Sequence, residues 1–180
     1  MRTLFIIPVL LFSLFLGTPS YSADFNKGLT AAQNGDFATA FKEWKPLADQ
    51  GNALAQSNLG VMYERGDGVP RDYKEAVRLY RLAAEQGSAR GQFSLGWMYN
   101  GGIGVPRDHK EAVKWYRLAA DQGYAKAQSN LGWMYETGRG VSQDNKEAVK
   151  WYRLAADQGN APAQSNLGKM YERGVGVPKD

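Results

Sequence analysis

A block of 36 residues recurs along most of the chain. Segment 52–87 reappears as 88–123 and again as 124–159, and a fourth, partial copy occupies 160–180. The second and third full copies are identical at most of their positions, which chance does not produce. A period in this range indicates stacked supersecondary units, each too small to bury its apolar face without its neighbours. The period therefore limits the fold to a repeat architecture.

Each copy contains two apolar patterns with helical spacing, which predict two helices. Helix A carries Leu, Gly, Met and Tyr, as in residues 95–99, and helix B carries small and aromatic residues, as in residues 112–120. A Gly-x-Gly-Val sequence between them supplies the positive φ angles that end helix A and turn the chain. An Asp-x-x-Glu capping box, such as Asp108 with Glu111, begins helix B. Paired acids can also indicate acid–base catalysis, but their recurrence at every helix B favours caps.

Residues 23–51 fit the same plan in a shorter form. Residues 37–41 lie one period before residues 73–77, and a tight turn at Gly35-Asp36 replaces the longer connection of the later copies. We expect a first helix over 24–34 and a second helix that Pro46 kinks.

Residues 1–22 have the features of a secretory signal peptide. A positive start at Arg2 precedes an apolar stretch, and Ser20 and Ser22 are small residues placed before a cut ahead of Ala23. The rival interpretation is an uncleaved anchor, but a helix over the apolar stretch spans about 20 Å, short of the roughly 30 Å of bilayer hydrocarbon. We expect secretion, with the periplasm favoured over the external medium and no membrane span after cleavage.

Composition removes several classes of chemistry. The chain has no cysteine, which excludes disulfide scaffolds, thiol nucleophiles and Cys-based metal sites. Its one histidine, His109, follows the cap Asp108 on an exposed turn, and we expect a surface residue rather than a ligand. The net charge of +4 is spread along the chain, so we expect no nucleic-acid surface. We expect no cofactor, no metal and no catalytic residue.

The block AxAQSNLGWMYxxGxGVxxDxKEAVKWYRLAADQG, within 124–159, resembles the Sel1-like repeat, a relative of the tetratricopeptide repeat. The resemblance covers 52–180, while residues 23–51 are more similar to a tetratricopeptide unit. It implies an all-α fold, a right-handed α/α solenoid of antiparallel helix pairs. It also implies that helix A lines the concave side and that this side binds other proteins.

The resemblance further implies which residues of each repeat face the concave wall. Among these positions, Phe93, Trp97 and Trp133 are expected as aromatic anchors, with Arg90 and Lys126 at the rim. The alternative is that each Trp covers the neighbouring helix A and is merely half-buried. The complete candidate groove consists of Arg90, Phe93, Trp97, Asn100, Lys126, Ser129, Trp133, Glu136 and Lys169.

The indoles on helix B call for a different interpretation. Trp115 and Trp151 occupy the same repeat position, and we expect them to pack between successive repeats.

Two functions from different classes follow. The first is a secreted, non-catalytic scaffold that mediates protein–protein interaction, with a protein or peptide as its partner. The second is an enzyme, because some cysteine-rich secreted relatives bind or hydrolyse β-lactams. This chain lacks their cysteines, and no Ser-x-x-Lys motif precedes a helix. The sequence therefore favours the scaffold.

Overall fold

Helices account for the regular structure of the chain in a computed structural model that describes residues 23–176. The predicted signal peptide, residues 1–22, lies outside the described residues. The all-α prediction is confirmed, with nine helices in the described range. They are α1 (Phe25–Gln33), α2 (Phe37–Asp49), α3 (Ala53–Arg65), α4 (Tyr73–Glu85), α5 (Ala89–Gly101), α6 (His109–Asp121), α7 (Ala125–Thr137), α8 (Asn145–Asp157) and α9 (Ala161–Glu172).

The helices pack as consecutive antiparallel pairs that stack into a solenoid. Odd-numbered helices from α3 onward are helix A of the successive repeats, and α4, α6 and α8 are helix B. Extensive packing joins helices that follow one another in sequence, and α3 also touches α5. This neighbour-to-neighbour packing is what the period predicted.

Half of each predicted capping box forms. The Asp108 carboxylate accepts from the backbone N–H groups of Lys110 and Glu111, at 2.9 and 3.0 Å. A capping box also has a reciprocal bond from the Glu side chain to the cap N–H, and this part of the prediction was wrong. The cap N–H of Asp108 donates instead to the Tyr99 carbonyl at 3.0 Å. Glu111 instead pairs with Lys114 along the helix. The cap residue thereby ties the end of helix A to the start of helix B.

A glycine in the middle of helix A admits the buried tyrosine of helix B. A Cβ atom on Gly96 would lie 2.8 Å from the ring of Tyr116, which is fully buried. Gly60 and Gly132 face Tyr80 and Tyr152 in the same way. The absence of a side chain at these glycines thus leaves room for an aromatic ring of helix B.

The tryptophans of helix B pack between repeats, as predicted. Trp115 is 8% exposed and belongs to an apolar cluster with Val77 and Tyr80 of the preceding helix B. Trp151 packs in the same way against α6. These indoles are therefore part of the solenoid core.

A ladder of buried glutamines, which the sequence did not suggest, fixes successive repeats to one another. The Gln92 amide donates to the Ala84 carbonyl at the end of α4, at 3.2 Å. Its oxygen accepts from Gln122, at the end of α6, at 2.7 Å. The equivalent bonds join Gln86 to Gln56 and Gln158 to Gln128. The helices α3, α5 and α7 are thus each hydrogen-bonded to the end of the helix before them and to the residue that ends the helix after them.

The N-terminal pair is fixed by a buried carboxylate. Glu43 is fully buried, accepts from the Asp24 backbone N–H at 3.0 Å and pairs with Lys27 at 2.6 Å. The Trp44 indole donates to the Phe25 carbonyl at 3.1 Å. Pro46 lies inside α2, which continues to Asp49.

Candidate functional site

Three cavities open side by side along the A helices, and together we call them the helix-A groove. The first, of about 280 Å³, lies where α1 and α2 meet α3 and α5. The second, of about 220 Å³, lies between α3, α5 and α7. The third, of about 350 Å³, lies between α5, α7 and α9. Neighbouring cavities share lining residues, so the groove is continuous.

Trp97 stands at the junction of the second and third cavities and lines both. Its side chain is 38% exposed, whereas Leu95 and Met98 on the same helix are fully buried. The indole therefore lies outside the apolar core into which Leu95 and Met98 pack. Large exposed aromatic groups in a concave surface are typical of binding sites.

Phe93 and Tyr124 form the aromatic floor beside Trp97. The Phe93 ring lies 5.3 Å from the ring of Tyr124 and 5.9 Å from that of Tyr116, centroid to centroid. Tyr124 was not predicted as a groove residue. It occupies the N-cap position of α7 but makes no side-chain cap bond, while Ser88 and Asn160 do so at equivalent positions. The sequence did contain a signal for Tyr124, since it is a large aromatic residue at a position where the other copies have a capping side chain.

Basic side chains line the second cavity. Arg65, Arg90 and Lys126 come from three successive A helices. Arg90 donates to the Asn58 side-chain oxygen at 2.7 Å, which directs its guanidinium across α3. Ser129 is only 6% exposed but lines the third cavity. The structure thus brings together five predicted residues, which are Arg90, Phe93, Trp97, Lys126 and Ser129.

The other predicted groove residues do not line these three cavities. Trp133 is half-buried, and the guanidinium of Arg139 lies 4.7 Å from its ring centroid. Asn100 is within hydrogen-bond distance of the His109 ring, at 3.1 Å. Lys169 is exposed on α9.

Glu136 has a structural partner in helix B. It accepts a hydrogen bond from the buried Tyr152 hydroxyl at 2.7 Å, and Glu64 accepts one from Tyr80 at 2.6 Å. Burial, together with these carboxylates, raises the pKa of both phenols above its usual range. Glu64 and Glu136 therefore join the two helices of a repeat in addition to facing solvent.

Membrane-spanning helices and clusters of metal ligands are both absent from residues 23–176. No helix there combines the length and apolar character needed to cross a bilayer. Nor do three or more His, Cys, Asp or Glu side chains come together there as a metal site would require.

Comparison with known proteins shows which family shares this architecture. The family profile described as Sel1 repeat matches residues 53–88, 89–124, 125–160 and 161–180. A Sel1 repeat protein from Oxalobacter formigenes is 38% identical, with a TM-score of 0.81, over 87% of this chain and 65% of that one. The protein c5321 is described as a protective antigen of uropathogenic Escherichia coli with an SLR fold. It is 41% identical, with a TM-score of 0.80, over 85% of this chain and 34% of that one.

A curated relative matches a shorter region. DAP3-binding cell death enhancer 1 of Rattus norvegicus is 40% identical over 50 residues, which are 28% of this chain and 10% of that protein. The chain thus spans only part of the relatives that it resembles. The repeat matches nevertheless extend over most of its length, and the helix pairs follow the same plan. The chain therefore belongs to the Sel1 repeat family.

Proposed function

We propose that the protein is a non-catalytic scaffold that binds a protein or peptide in the helix-A groove. The observation that carries the proposal is the position of Trp97, exposed between two cavities while its neighbours on α5 are buried. Packing between sequential helices stabilises the solenoid. The groove side chains are therefore not all needed for folding and remain available for a partner.

Selective loss of a partner tests this proposal. The mature chain is used to capture proteins from an envelope extract of its own source, beside Trp97→Ala and Leu118→Ala variants. Leu118 is a matched control, because it is 42% exposed but lies on α6, outside the groove. We expect a protein that the wild type and Leu118→Ala retain and that Trp97→Ala loses. If Leu118→Ala loses that protein and Trp97→Ala retains it, the binding surface lies on the B helices and not in the groove.

An envelope location is part of the proposal and depends on residues 1–22. Their charged start, apolar stretch and small residues before Ala23 support export. Cell fractionation with N-terminal sequencing of the mature protein tests it. We expect a periplasmic chain that begins at Ala23, and an intact N-terminus in the cytoplasmic fraction would contradict export.

The enzymatic alternative has a direct test. Among the described residues, neither His109 nor the helix caps form a nucleophile–base pair: His109 contacts Asn100, and Asp108 caps α6. We therefore expect no turnover of a chromogenic β-lactam above that of a heat-denatured sample. Turnover that exceeds this background would revive the hydrolase.

A further inference from the structure

Positive charge is concentrated in the second cavity of the helix-A groove. Three cations, Arg65, Arg90 and Lys126, line it against one carboxylate, that of Glu64. The Glu64 carboxylate already accepts the hydrogen bond from Tyr80. The cavity therefore has an excess of positive charge at neutral pH.

Within the described part of the chain, the three cations of this cavity form no ion pair with a neighbouring acid. Across residues 23–176, no ion pair involves Arg65, Arg90 or Lys126. The bond from Arg90 goes to a neutral amide, that of Asn58. On each B helix, by contrast, one cation pairs with an acid three residues earlier, and these cations are Arg78, Lys114 and Lys150. Unpaired cations around a concavity attract anionic groups of a ligand.

Apolar surface adjoins this charge on one side. The third cavity contains Pro162 and shares Phe93, Trp97 and Lys126 with the second. A chain that lies in the second cavity is thus beside aromatic side chains that continue into the third. Arginine beside exposed tryptophan is also the composition of a binding hot spot.

We propose that the helix-A groove binds an extended acidic peptide. An Asp or Glu side chain of this peptide lies among Arg65, Arg90 and Lys126, and a neighbouring apolar side chain packs on Trp97. This inference rests on the proposed function and adds the chemistry of the partner. Carboxylates suit the site because arginine forms charge-assisted, bidentate hydrogen bonds with them.

Peptide pools of fixed apolar content test the charge preference. Three synthetic pools carry the same Leu and Phe residues and differ only in having Asp/Glu, Asn/Gln or Lys/Arg between them. Fluorescence anisotropy measures their binding to the full mature chain, and a single-stranded oligonucleotide serves as a non-peptide polyanion. We expect the acidic pool to bind about tenfold more tightly than the neutral pool and the oligonucleotide, with weaker binding at high salt.

Variants then assign that preference to the cavity. Arg90→Gln with Lys126→Gln should remove the tenfold preference, and Arg90→Glu with Lys126→Glu should transfer it to the basic pool. The matched control is Lys74→Gln with Lys110→Gln, which removes the same charge from exposed positions on α4 and α6. Thermal unfolding of each variant verifies folding before binding is measured.

Several outcomes would overturn the inference. Equal loss in the control pair would mean attraction to overall charge, and stronger oligonucleotide binding would mean recognition of any polyanion. If all pools bind equally and only Trp97→Ala weakens them, the acidic partner is wrong while the groove function stands. Failure of every pool to bind, together with capture of a protein through Trp97, would likewise contradict an acidic peptide.

Discussion

The Tyr152 hydroxyl donates a 2.7 Å hydrogen bond to Glu136, whereas Tyr116, one repeat earlier, has no such partner. The residue that corresponds to Glu136 in that repeat is Asn100, which contacts His109 instead. Burial raises the pKa of the Tyr116 phenol, and Asn130 partly opposes this. Within residues 23–176, however, no group completes a hydrogen bond with the hydroxyl. One repeat therefore lacks a contact that its neighbours make.

The two tyrosines should respond differently to loss of the hydroxyl. We expect Tyr152→Phe to lower the free energy of unfolding by about 1–2 kcal/mol, because it removes a bond to a charged acceptor that water can partly replace. Tyr116→Phe should change it by less than about 0.5 kcal/mol, since the hydroxyl that it removes is unpartnered. Urea denaturation of both variants measures the difference. Equal losses would show that Tyr116 has a partner in solution, such as a buried water.

Restoring glutamate in the deviating repeat should stabilise the protein. Asn100→Glu would recreate at Tyr116 the pair that Tyr80 and Tyr152 make with Glu64 and Glu136. We expect a gain of about 1 kcal/mol, the usual contribution of one such hydrogen bond. The control is the double variant Asn100→Glu with Tyr116→Phe, in which the gain should disappear. A gain that persists there would come from another contact of the glutamate, for example with His109.

Glycines at one repeat position should differ in their tolerance of alanine. In Gly96→Ala the new methyl would meet the buried ring of Tyr116 at 2.8 Å and the Ala112 carbonyl at 3.2 Å. Overpacking of this kind costs about 1–3 kcal/mol, which exceeds the roughly 1 kcal/mol that alanine gains over glycine in a helix. We therefore expect net destabilisation.

Gly168 is the matched control, because a Cβ atom there would meet nothing within 4 Å. Gly168→Ala should leave the melting temperature unchanged or raise it, with a gain of up to about 1 kcal/mol. Differential scanning calorimetry compares the two variants. A loss in Gly168→Ala similar to that in Gly96→Ala would mean that an intermolecular contact fills this position in solution.

The repeat period predicted the helix pairs because it reports a packing unit directly. The aspartate caps of helix B could also be located from sequence, since they act within one helical turn. The Glu half of the capping box could not, because the cap N–H of Asp108 is taken by Tyr99, which lies on the other helix of the pair. Local spacing carries no information about such a competitor.

The candidate site likewise contains residues that could be predicted from the sequence and residues that could not. The resemblance to the Sel1-like repeat was sufficient to select Phe93 and Trp97, which line the second and third cavities. It was not sufficient for Glu136 or Asn100, whose contacts are made with side chains beyond their own helix. These contacts depend on how the pair packs. For Tyr124 the signal existed in the sequence, as an aromatic residue at a capping position.

Tyr124 allows a test that separates stability from binding. In Tyr124→Asn the cap bond that Asn52 and Asn160 make at equivalent positions should form and contribute about 1 kcal/mol. Loss of the ring contact with Phe93 should cost about 0.5–1.5 kcal/mol, so the two effects nearly cancel and the free energy of unfolding should change by less than about 1 kcal/mol.

Binding of the acidic peptide pool should nevertheless weaken, because the floor beside Trp97 loses an aromatic surface. Chemical denaturation and fluorescence anisotropy on the same sample measure both effects. Destabilisation well above 2 kcal/mol would make Tyr124 a core residue, and unchanged affinity would remove it from the binding surface.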